Sequence, residues 1–173
     1  MLYVWLCEEY RIINIGGNMI NIVLVEPEIP HNTGNIIRTV ANIGATLHLV
    51  RPLGFSLDDK HLKRCGLDYW DIANIQYYDS FEELQAKFPD AQYFFATTKG
   101  KYTHAEVEYK EGCFLVFGKE TKGLRKDIID NNVESCIRIP MRNIEGARCL
   151  NLSNAVAIVA YEAMRQLDFK DLI

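Results

Sequence analysis

Short apolar segments alternate with helix-like segments from Met19 onward, and this alternation limits the possible folds more than any other feature of the chain. The apolar segments are rich in Val, Ile, Leu, Phe and Tyr, as is typical of strands that are covered on both faces. Predicted strands comprise residues 20–25, 46–50, 75–78, 92–97, 113–117 and 135–139, and predicted helices comprise residues 33–43, 58–65, 80–88, 121–130 and 151–167. The pattern predicts an α/β fold in which helices flank a mostly parallel sheet.

The division of the chain into domains follows from the position of the first strand. Ile20 opens that strand, and residues 1–18 read differently from everything that follows. A chain of 173 residues has the usual size of one domain with its own core. We therefore expect an N-terminal extension over residues 1–18 and a single domain over residues 19–173.

Composition and charge exclude some classes of protein. Apolar residues make up 49% of the chain and charged residues 24%, which is ordinary for a soluble globular protein. The net charge of −4 argues against a surface covered in positive charge, but phosphate binding depends on the local surface. Basic residues do cluster near the loops described below, namely Lys99, Lys101, Lys119, Lys122, Arg125, Lys126, Arg138, Arg142 and Arg148.

Cysteine and histidine usage bear on the compartment and on metal binding. The five cysteines are odd in number and form no C-x-x-C pair, which favours a reducing cytoplasm over a disulfide framework. The four histidines lack paired ligand spacing, so we expect no metal site. No apolar run approaches the roughly 18 residues that would span a membrane, and no secretory signal is visible, so we expect a cytoplasmic protein without membrane contact.

The first loop that carries chemistry lies between Pro27 and Arg38. A strand ends, two prolines shape the connection, and a helix is predicted to begin near Asn32 or Thr33. Arg38 is then placed about one turn into the helix, near the carboxyl edge of the sheet. The alternative is a solvated arginine that follows a capping asparagine.

The second loop, from Phe117 to Leu124, resembles a phosphate-binding loop without being one. A Walker loop needs the spacing G-x-x-x-x-G-K-[ST], whereas five residues separate Gly112 from Gly118 and Glu120 follows Lys119. A nucleoside triphosphate site is therefore excluded. A glycine after a strand still lets a backbone approach a ligand. An ordinary strand-to-helix turn is the alternative.

Two further loops also follow predicted strands. Residues 96–101 form a polar segment that is weak evidence alone, and residues 140–155 combine arginines, a glycine and the helix-opening sequence from Asn151 to Asn154. Loops at the carboxyl ends of parallel strands meet at one edge of the sheet, where α/β proteins bind ligands. The amides, hydroxyls and guanidinium groups favour a site at which an organic cofactor meets a nucleic acid.

Taken together, the loops resemble those of the SPOUT class of RNA methyltransferases, and most closely its tRNA (cytidine/uridine-34)-2′-O-methyltransferases. The matching motifs are Pro30-x-Asn32-x-Gly34-Asn35-x-x-Arg38, Gly118-x-Glu120-x-x-Gly123-Leu124, and Ile139-Pro140-Met141 through Leu150-Asn151-Leu152-Ser153-Asn154. The segment from Asp58 to Tyr69 is similar to this subfamily in particular. The resemblance runs from Met19 to about Phe169 and implies a C-terminal trefoil knot, a homodimer, bound S-adenosylmethionine and a tRNA anticodon stem-loop as substrate.

The resemblance also implies roles for individual residues. Arg38, Asn35 and Ser153 correspond to catalytic positions. Cofactor contacts are implied for Ala96, Thr97, Gly118, Glu120, Ile139, Met141, Cys149, Leu150 and Asn151. Cys149 departs from the serine expected there, and a thiol is a weaker hydrogen-bond donor than a hydroxyl.

The expected reaction is methyl transfer to the ribose 2′-hydroxyl of the wobble nucleotide. Because arginine is normally always protonated, we expect Arg38 to hold a phosphate or the developing oxyanion, with phosphate or water as proton acceptor. Asn35 would orient Arg38 or the ribose. Three alternatives stay open: a non-catalytic RNA-binding protein with this fold, a 2′-O-methyltransferase that acts on another RNA, and a small-molecule α/β enzyme.

Overall fold

The computed structural model describes residues 19–56, 69, 72–143, 149–170 and 172–173. They form a sheet of seven strands: β1 (Ile20–Val25), β2 (Thr46–Val50), β3 (Asn74–Tyr78), β4 (Tyr93–Ala96), β5 (Tyr102–Thr103), β6 (Cys113–Phe117) and β7 (Cys136–Arg138). The strand order is β3-β2-β1-β6-β4-β7-β5, and every pairing within this sheet is parallel. The predicted parallel sheet is confirmed.

Four α-helices are described: α1 (Pro30–Ile43), α2 (Phe81–Lys87), α3 (Lys126–Asn131) and α4 (Leu152–Gln166), with a short 3₁₀ helix at Val133–Ser135. The predicted α/β class, with helices on both faces of the sheet, is confirmed. The predicted helix at residues 58–65 and the predicted extension at residues 1–18 lie outside the described residues.

The two faces of the sheet have different cores. Along β1, Ile20, Ile22 and Leu24 point to one face while Val23 and Val25 point to the other, as the two-residue period of a strand requires. α1 and α4 cover the first face with aliphatic side chains. α2 and α3 cover the second, where several aromatic rings pack together. We call these the aliphatic face and the aromatic face.

α4 carries apolar residues on both sides, and its inner side is a central element of the aliphatic face. Its buried side chains are Val156, Val159, Ala160, Ala163 and Met164. The opposite side of the helix carries Ile158 and Tyr161, which are exposed. Ala160 is fully buried within the chain, so Ile158 and Tyr161 are the large apolar residues of α4 that remain exposed.

Two helices begin more than one residue away from the predicted start, for local reasons. α1 starts at Pro30, since proline fits the first helical position, where no intrahelical N–H bond is needed. α3 starts at Lys126, because the preceding residues form a closed turn in which Gly123 N donates to Lys119 O at 2.8 Å. Gly123 has a φ of 70°, a conformation that favours glycine and does not continue a helix.

β7 lies between β4 and β5, so the connection formed by residues 97–101 has to cross the end of β7. Thr97 N donates to the carbonyl of Ile137 at 2.9 Å. At Gly100 a Cβ atom would come within 2.3 Å of the backbone carbon of Ile137. The crossing therefore requires glycine and brings the 97–101 loop onto the segment that enters the last motif.

Candidate active site

A cavity of about 920 Å³ lies beyond the carboxyl ends of β4, β6 and β7. The three loops that follow these strands form its walls, together with the first turns of α4. Every residue predicted to contact the cofactor lines this cavity: Ala96, Thr97, Gly118, Glu120, Ile139, Met141, Cys149, Leu150 and Asn151. The predicted convergence of the loops is thus observed, while the role of each residue stays a prediction.

The cavity wall combines apolar side chains with polar loop groups. Leu124, Ile137 and Val159 are among the apolar lining residues, and Thr97, Thr98 and Thr121 are among the polar ones. Such a mixture suits an organic ligand that has an apolar ring and a few polar substituents. Cys149 is exposed and lines this cavity.

Gly118 is needed for a reason that the sequence did not show. A Cβ atom at this position would lie 2.1 Å from the backbone of Gly123 and Leu124. The nearest obstacle is therefore the loop itself, which folds back between Lys119 and Gly123. The spacing of the two glycines follows from this closed turn, which presents Glu120 and Thr121 to their partners.

Glu120 fixes the entrance to α1. Its carboxylate accepts hydrogen bonds from Glu28 N at 2.8 Å, Ile29 N at 3.2 Å and Asn32 Nδ2 at 2.9 Å. A carboxylate that accepts several N–H groups holds them strongly, because charge-assisted hydrogen bonds are stronger than neutral ones. Glu120 thereby ties the second loop to the first.

Asn32 continues this connection to the last motif. Its side chain is buried, with 3% of its surface exposed, and its Oδ1 accepts from Asn151 Nδ2 at 2.9 Å. Asn151 caps α4, since its Oδ1 accepts from Ser153 N at 2.8 Å and from Ser153 Oγ at 2.7 Å. We call Glu120, Asn32, Asn151 and Ser153 the motif network, because it joins all three motifs.

Sequence reasoning did not identify Asn32 as more than a possible cap of α1. The signal that could have corrected this is Pro30: a proline favours the first helical position, which places Asn32 inside the helix. A side-chain amide inside a helix and facing the core needs partners elsewhere. Asn32 finds them in Glu120 and Asn151, which are distant in sequence.

Ion pairs with Glu26 hold the second loop against the end of β1. Lys119 Nζ donates to Glu26 Oε2 at 2.8 Å, and this hydrogen bond raises the pKa of Lys119. Arg125 Nη1 also lies 4.0 Å from the Glu26 carboxylate. On the neighbouring side, Thr121 Oγ1 donates to Glu28 Oε2 at 2.7 Å. Lys119 lines the cavity, but its charge is balanced by Glu26.

Arg38 lies apart from the residues that line this cavity. Each residue advances a helix by about 1.5 Å, which places Arg38 roughly 9 Å beyond Asn32 along α1. Its side chain is exposed and borders an open cavity of about 760 Å³, which is also lined by Thr39, Asn42, Tyr161, Phe169, Leu172 and Ile173. The Cζ atom of Arg38 lies 4.9 Å from the centre of the Tyr69 ring.

The other two predicted catalytic residues are also outside the cavity wall. Ser153 directs its hydroxyl to Asn151 within the motif network. Asn35 is half-buried on α1, where its carbonyl accepts from Thr39 Oγ1 at 3.3 Å. Within one chain, therefore, the structure brings together the predicted cofactor contacts but not the predicted catalytic residues.

The described parts of the chain offer neither a metal site nor a membrane-spanning helix. There, no group of three or more His, Cys, Asp or Glu side chains could hold a metal ion. The described helices also include none that is long and apolar enough to cross a bilayer.

A parallel sheet with a loop-lined, cofactor-sized cavity beyond its strand ends defines an α/β protein whose ligand site is built from strand-to-helix loops. The chain belongs to the SpoU rRNA Methylase family, whose model matches residues 19–161.

Individual proteins that are similar to this chain are also named or described as RNA-methylating enzymes. The tRNA (cytidine(34)-2′-O)-methyltransferase of Methylovorus glucosotrophus is 51% identical over 152 residues, which cover 87% of this chain and 97% of that protein. A solved structure described under "Structural insights into the 2-OH methylation of C/U34 on tRNA" is 41% identical, with a TM-score of 0.82 over 88% of this chain and 99% of that one.

A more distant structure shares the fold. The SpoU methyltransferase AviRb from Streptomyces viridochromogenes, solved in complex with the cofactor AdoMet, is 21% identical, with a TM-score of 0.78 over 89% of this chain and 62% of that one.

Proposed function

We propose that this protein transfers a methyl group from S-adenosylmethionine to the ribose 2′-hydroxyl of the wobble nucleotide of tRNA, a cytidine or a modified uridine. The observation that carries the proposal is the convergence of all the predicted cofactor contacts on one cavity. The high identity to a relative named for methylation at cytidine 34 supports the choice of substrate.

The cavity fits the proposed cofactor in size and chemistry. A volume of about 920 Å³ lies within the range of organic-ligand sites. The apolar wall suits an adenine ring, and the loop backbones at Gly118, Ile139 and Leu150 offer hydrogen-bonding groups. When bound, S-adenosylmethionine supplies a methyl group that its sulfonium makes electrophilic. No metal is required for that chemistry.

The protein's own groups align the ribose and stabilise charge. Arg38 holds a backbone phosphate or the oxygen that becomes negative as the hydroxyl loses its proton, and phosphate or water accepts that proton. Asn35 orients Arg38 or the ribose. The motif network fixes the first turn of α4, so that Ser153 and Asn151 keep their places beside the cavity.

A homodimer would account for the separation of Arg38 from the cavity. The outer side of α4 exposes Ile158 and Tyr161, and the C-terminal turn exposes Phe169 beside the Arg38 cavity. Exposed apolar side chains in one patch favour a partner surface. We propose that two copies pair through this surface and the outer side of α1, so that one subunit holds the cofactor while the other positions the tRNA.

The remaining expectations are proposals of the same kind. The crossing of residues 97–101 over β7 favours a C-terminal trefoil knot.

Basic residues near the cavity suit the phosphates of an anticodon stem-loop. Lys122 lines the cavity, while Lys99 and Arg142 directly follow lining residues. We further propose that residues 19–173 form the working domain in the cytoplasm, with residues 1–18 as an extension.

Methyl transfer from labelled S-adenosylmethionine into tRNA tests the function, with nucleoside mass spectrometry locating the product. We expect a 2′-O-methylated nucleotide at position 34 and none in a tRNA that has deoxyribose at that position. Methylation of ribosomal RNA alone would support the alternative substrate. Tight tRNA binding without transfer would support a non-catalytic RNA-binding protein. Calorimetry in EDTA completes the test, since absence of binding heat with millimolar cofactor would contradict the cofactor assignment.

A further inference from the structure

The surroundings of Arg38 are unusual for an arginine that has to bind a substrate anion. Its exposed guanidinium group lies over the Tyr69 ring, with 4.9 Å between Cζ and the ring centre. Among the described residues, no carboxylate forms an ion pair with it. The face of the ring is negative and attracts the cation without taking up its N–H groups.

Arg51 gives the opposite arrangement in the same protein. It also lies over a tyrosine, Tyr77, at 6.0 Å, but its guanidinium is bound to the carboxylate of Asp79 at 2.6 Å. A carboxylate holds an arginine in place by occupying N–H donors and balancing the charge. A ring restrains the cation while its donors stay available for a phosphate or an oxyanion.

Tyr69 is itself anchored to the sheet. Its carbonyl accepts hydrogen bonds from Ala73 N at 2.8 Å and Ile72 N at 3.3 Å, directly before β3 begins at Asn74. Its half-buried side chain packs against the aliphatic core. Through this ring, the position of the guanidinium group depends on the sheet. Without the ring, the long arginine side chain alone would determine it.

We propose that Tyr69 is a positioning residue for Arg38: its ring restrains the guanidinium group in the orientation that meets the substrate anion, and no carboxylate among the described residues pairs with that charge. This inference rests on the proposed function, in which Arg38 acts on the tRNA. It predicts that Tyr69 affects the rate of transfer through Arg38, and not through cofactor binding or stability.

Four variants of the full chain test the proposal by steady-state methylation of tRNA. Tyr69→Leu keeps an apolar side chain but removes the ring, and we expect kcat to fall about tenfold with unchanged cofactor Kd and a melting temperature close to that of Tyr77→Leu, since both rings pack against the aliphatic core. Tyr69→Phe keeps the ring and should retain at least about half of the rate. Tyr77→Leu is the matched control and should leave kcat unchanged. In an Arg38→Gln background, adding Tyr69→Leu should change the residual rate less than about twofold.

A measurement without catalysis tests the contact itself. The Arg38 side-chain protons should show an upfield ring-current shift by NMR, which Tyr69→Leu abolishes and Tyr69→Phe preserves. Wild-type kcat in Tyr69→Leu, an equal loss in Tyr69→Phe, or the full loss in the Arg38→Gln background would overturn the inference. A wild-type protein that does not methylate tRNA would instead overturn the proposed function, together with the catalytic meaning of the contact.

Discussion

On the aliphatic face of the sheet, the long helices α1 and α4 pack with Ile, Leu, Val, Ala and Met, whereas on the aromatic face the short helices α2 and α3 cover Phe, Tyr and His rings. The motif residues at the start of α1 and α4 belong to the helices of the aliphatic face, where Asn32 and Asn151 join them. None of the predicted catalytic residues lies on α2 or α3. The comparison shows that the residues which join α1 to α4 lie with the aliphatic face, whereas the aromatic face supports the sheet with packed rings.

The core of the aromatic face encloses polar side chains that pair with one another. His48 has 1% of its surface exposed, and its ring nitrogens lie 3.1 Å from Tyr78 Oη and 3.1 Å from Asn21 Oδ1. Asn21 Nδ2 in turn donates to the carbonyl of Gly112 at 2.9 Å. Buried polar groups that have partners specify one packing arrangement, which suits a support that does not move.

The largest effect should come from disturbing the inner side of α4. Ala160→Arg places a charge in the aliphatic core, and we expect a loss of more than about 4 kcal/mol in the free energy of unfolding, or failure to fold. Ile158→Arg, on the outer side of the same helix, should fold normally but sediment as a monomer. Urea denaturation and sedimentation distinguish them, and a stable, folded Ala160→Arg protein would contradict the packing described.

A comparable effect, on rate and not stability, is expected at Arg38. Arg38→Ala should lower kcat at least about a hundredfold, since a charge-assisted contact made in the transition state contributes about 3 kcal/mol. Arg51→Ala is the control on the same protein, with wild-type kcat expected. Cofactor affinity from calorimetry should stay constant in both. A rate for Arg38→Ala within twofold of wild type would remove Arg38 from the mechanism.

On the aromatic face, the expected signature is a dependence of stability on pH. Burial lowers the pKa of His48 from 6.5 to about 4, with Lys87 contributing in the same direction. The unfolded chain then binds the proton more readily, so stability is full above pH 6.5 and falls as the pH drops towards 4, by at most about 3 kcal/mol. Denaturant titrations of the wild type and His48→Gln test this, and equal pH slopes in the two would refute it.

A smaller effect is expected within the motif network. Asn32→Asp places a second carboxylate against Glu120 and removes a donor, which should cost about 2 kcal/mol of stability at pH 7. Asn42→Asp is the matched control, because Asn42 is exposed on the same helix. Thermal melts at pH 7 measure both, and equal melting temperatures would show that the network contributes little.

The smallest effect should follow removal of residues 1–18. We expect the protein that begins at Met19 to keep its melting temperature within about 5 °C, its oligomeric state and its activity. A larger fall would mean that the extension contributes to covering one face of the sheet, and the difference between the faces would need revision.

Much of this architecture follows from local sequence patterns. β1, β2 and β6 have the predicted bounds, since each is a short apolar run between polar segments. β5 was not predicted, because its two residues, Tyr102–Thr103, are too few to show a period. The convergence of the loops could be predicted because the carboxyl ends of parallel strands share one sheet edge, whereas the individual cofactor contacts were implied by the resemblance to SPOUT methyltransferases. The partners of Asn32 could not, since Asn151 is 119 residues away in the chain.

The motif network also has a direction. The Glu120 carboxylate can only accept, so Asn32 has to turn its NH₂ towards it and its oxygen towards Asn151. Asn151 then donates from its NH₂ group to Asn32, and its Oδ1 accepts from Ser153. The single hydroxyl proton of Ser153 is used in this hydrogen bond. Ser153 is left with lone pairs alone to offer outward, so a ligand that meets this hydroxyl has to bring its own hydrogen.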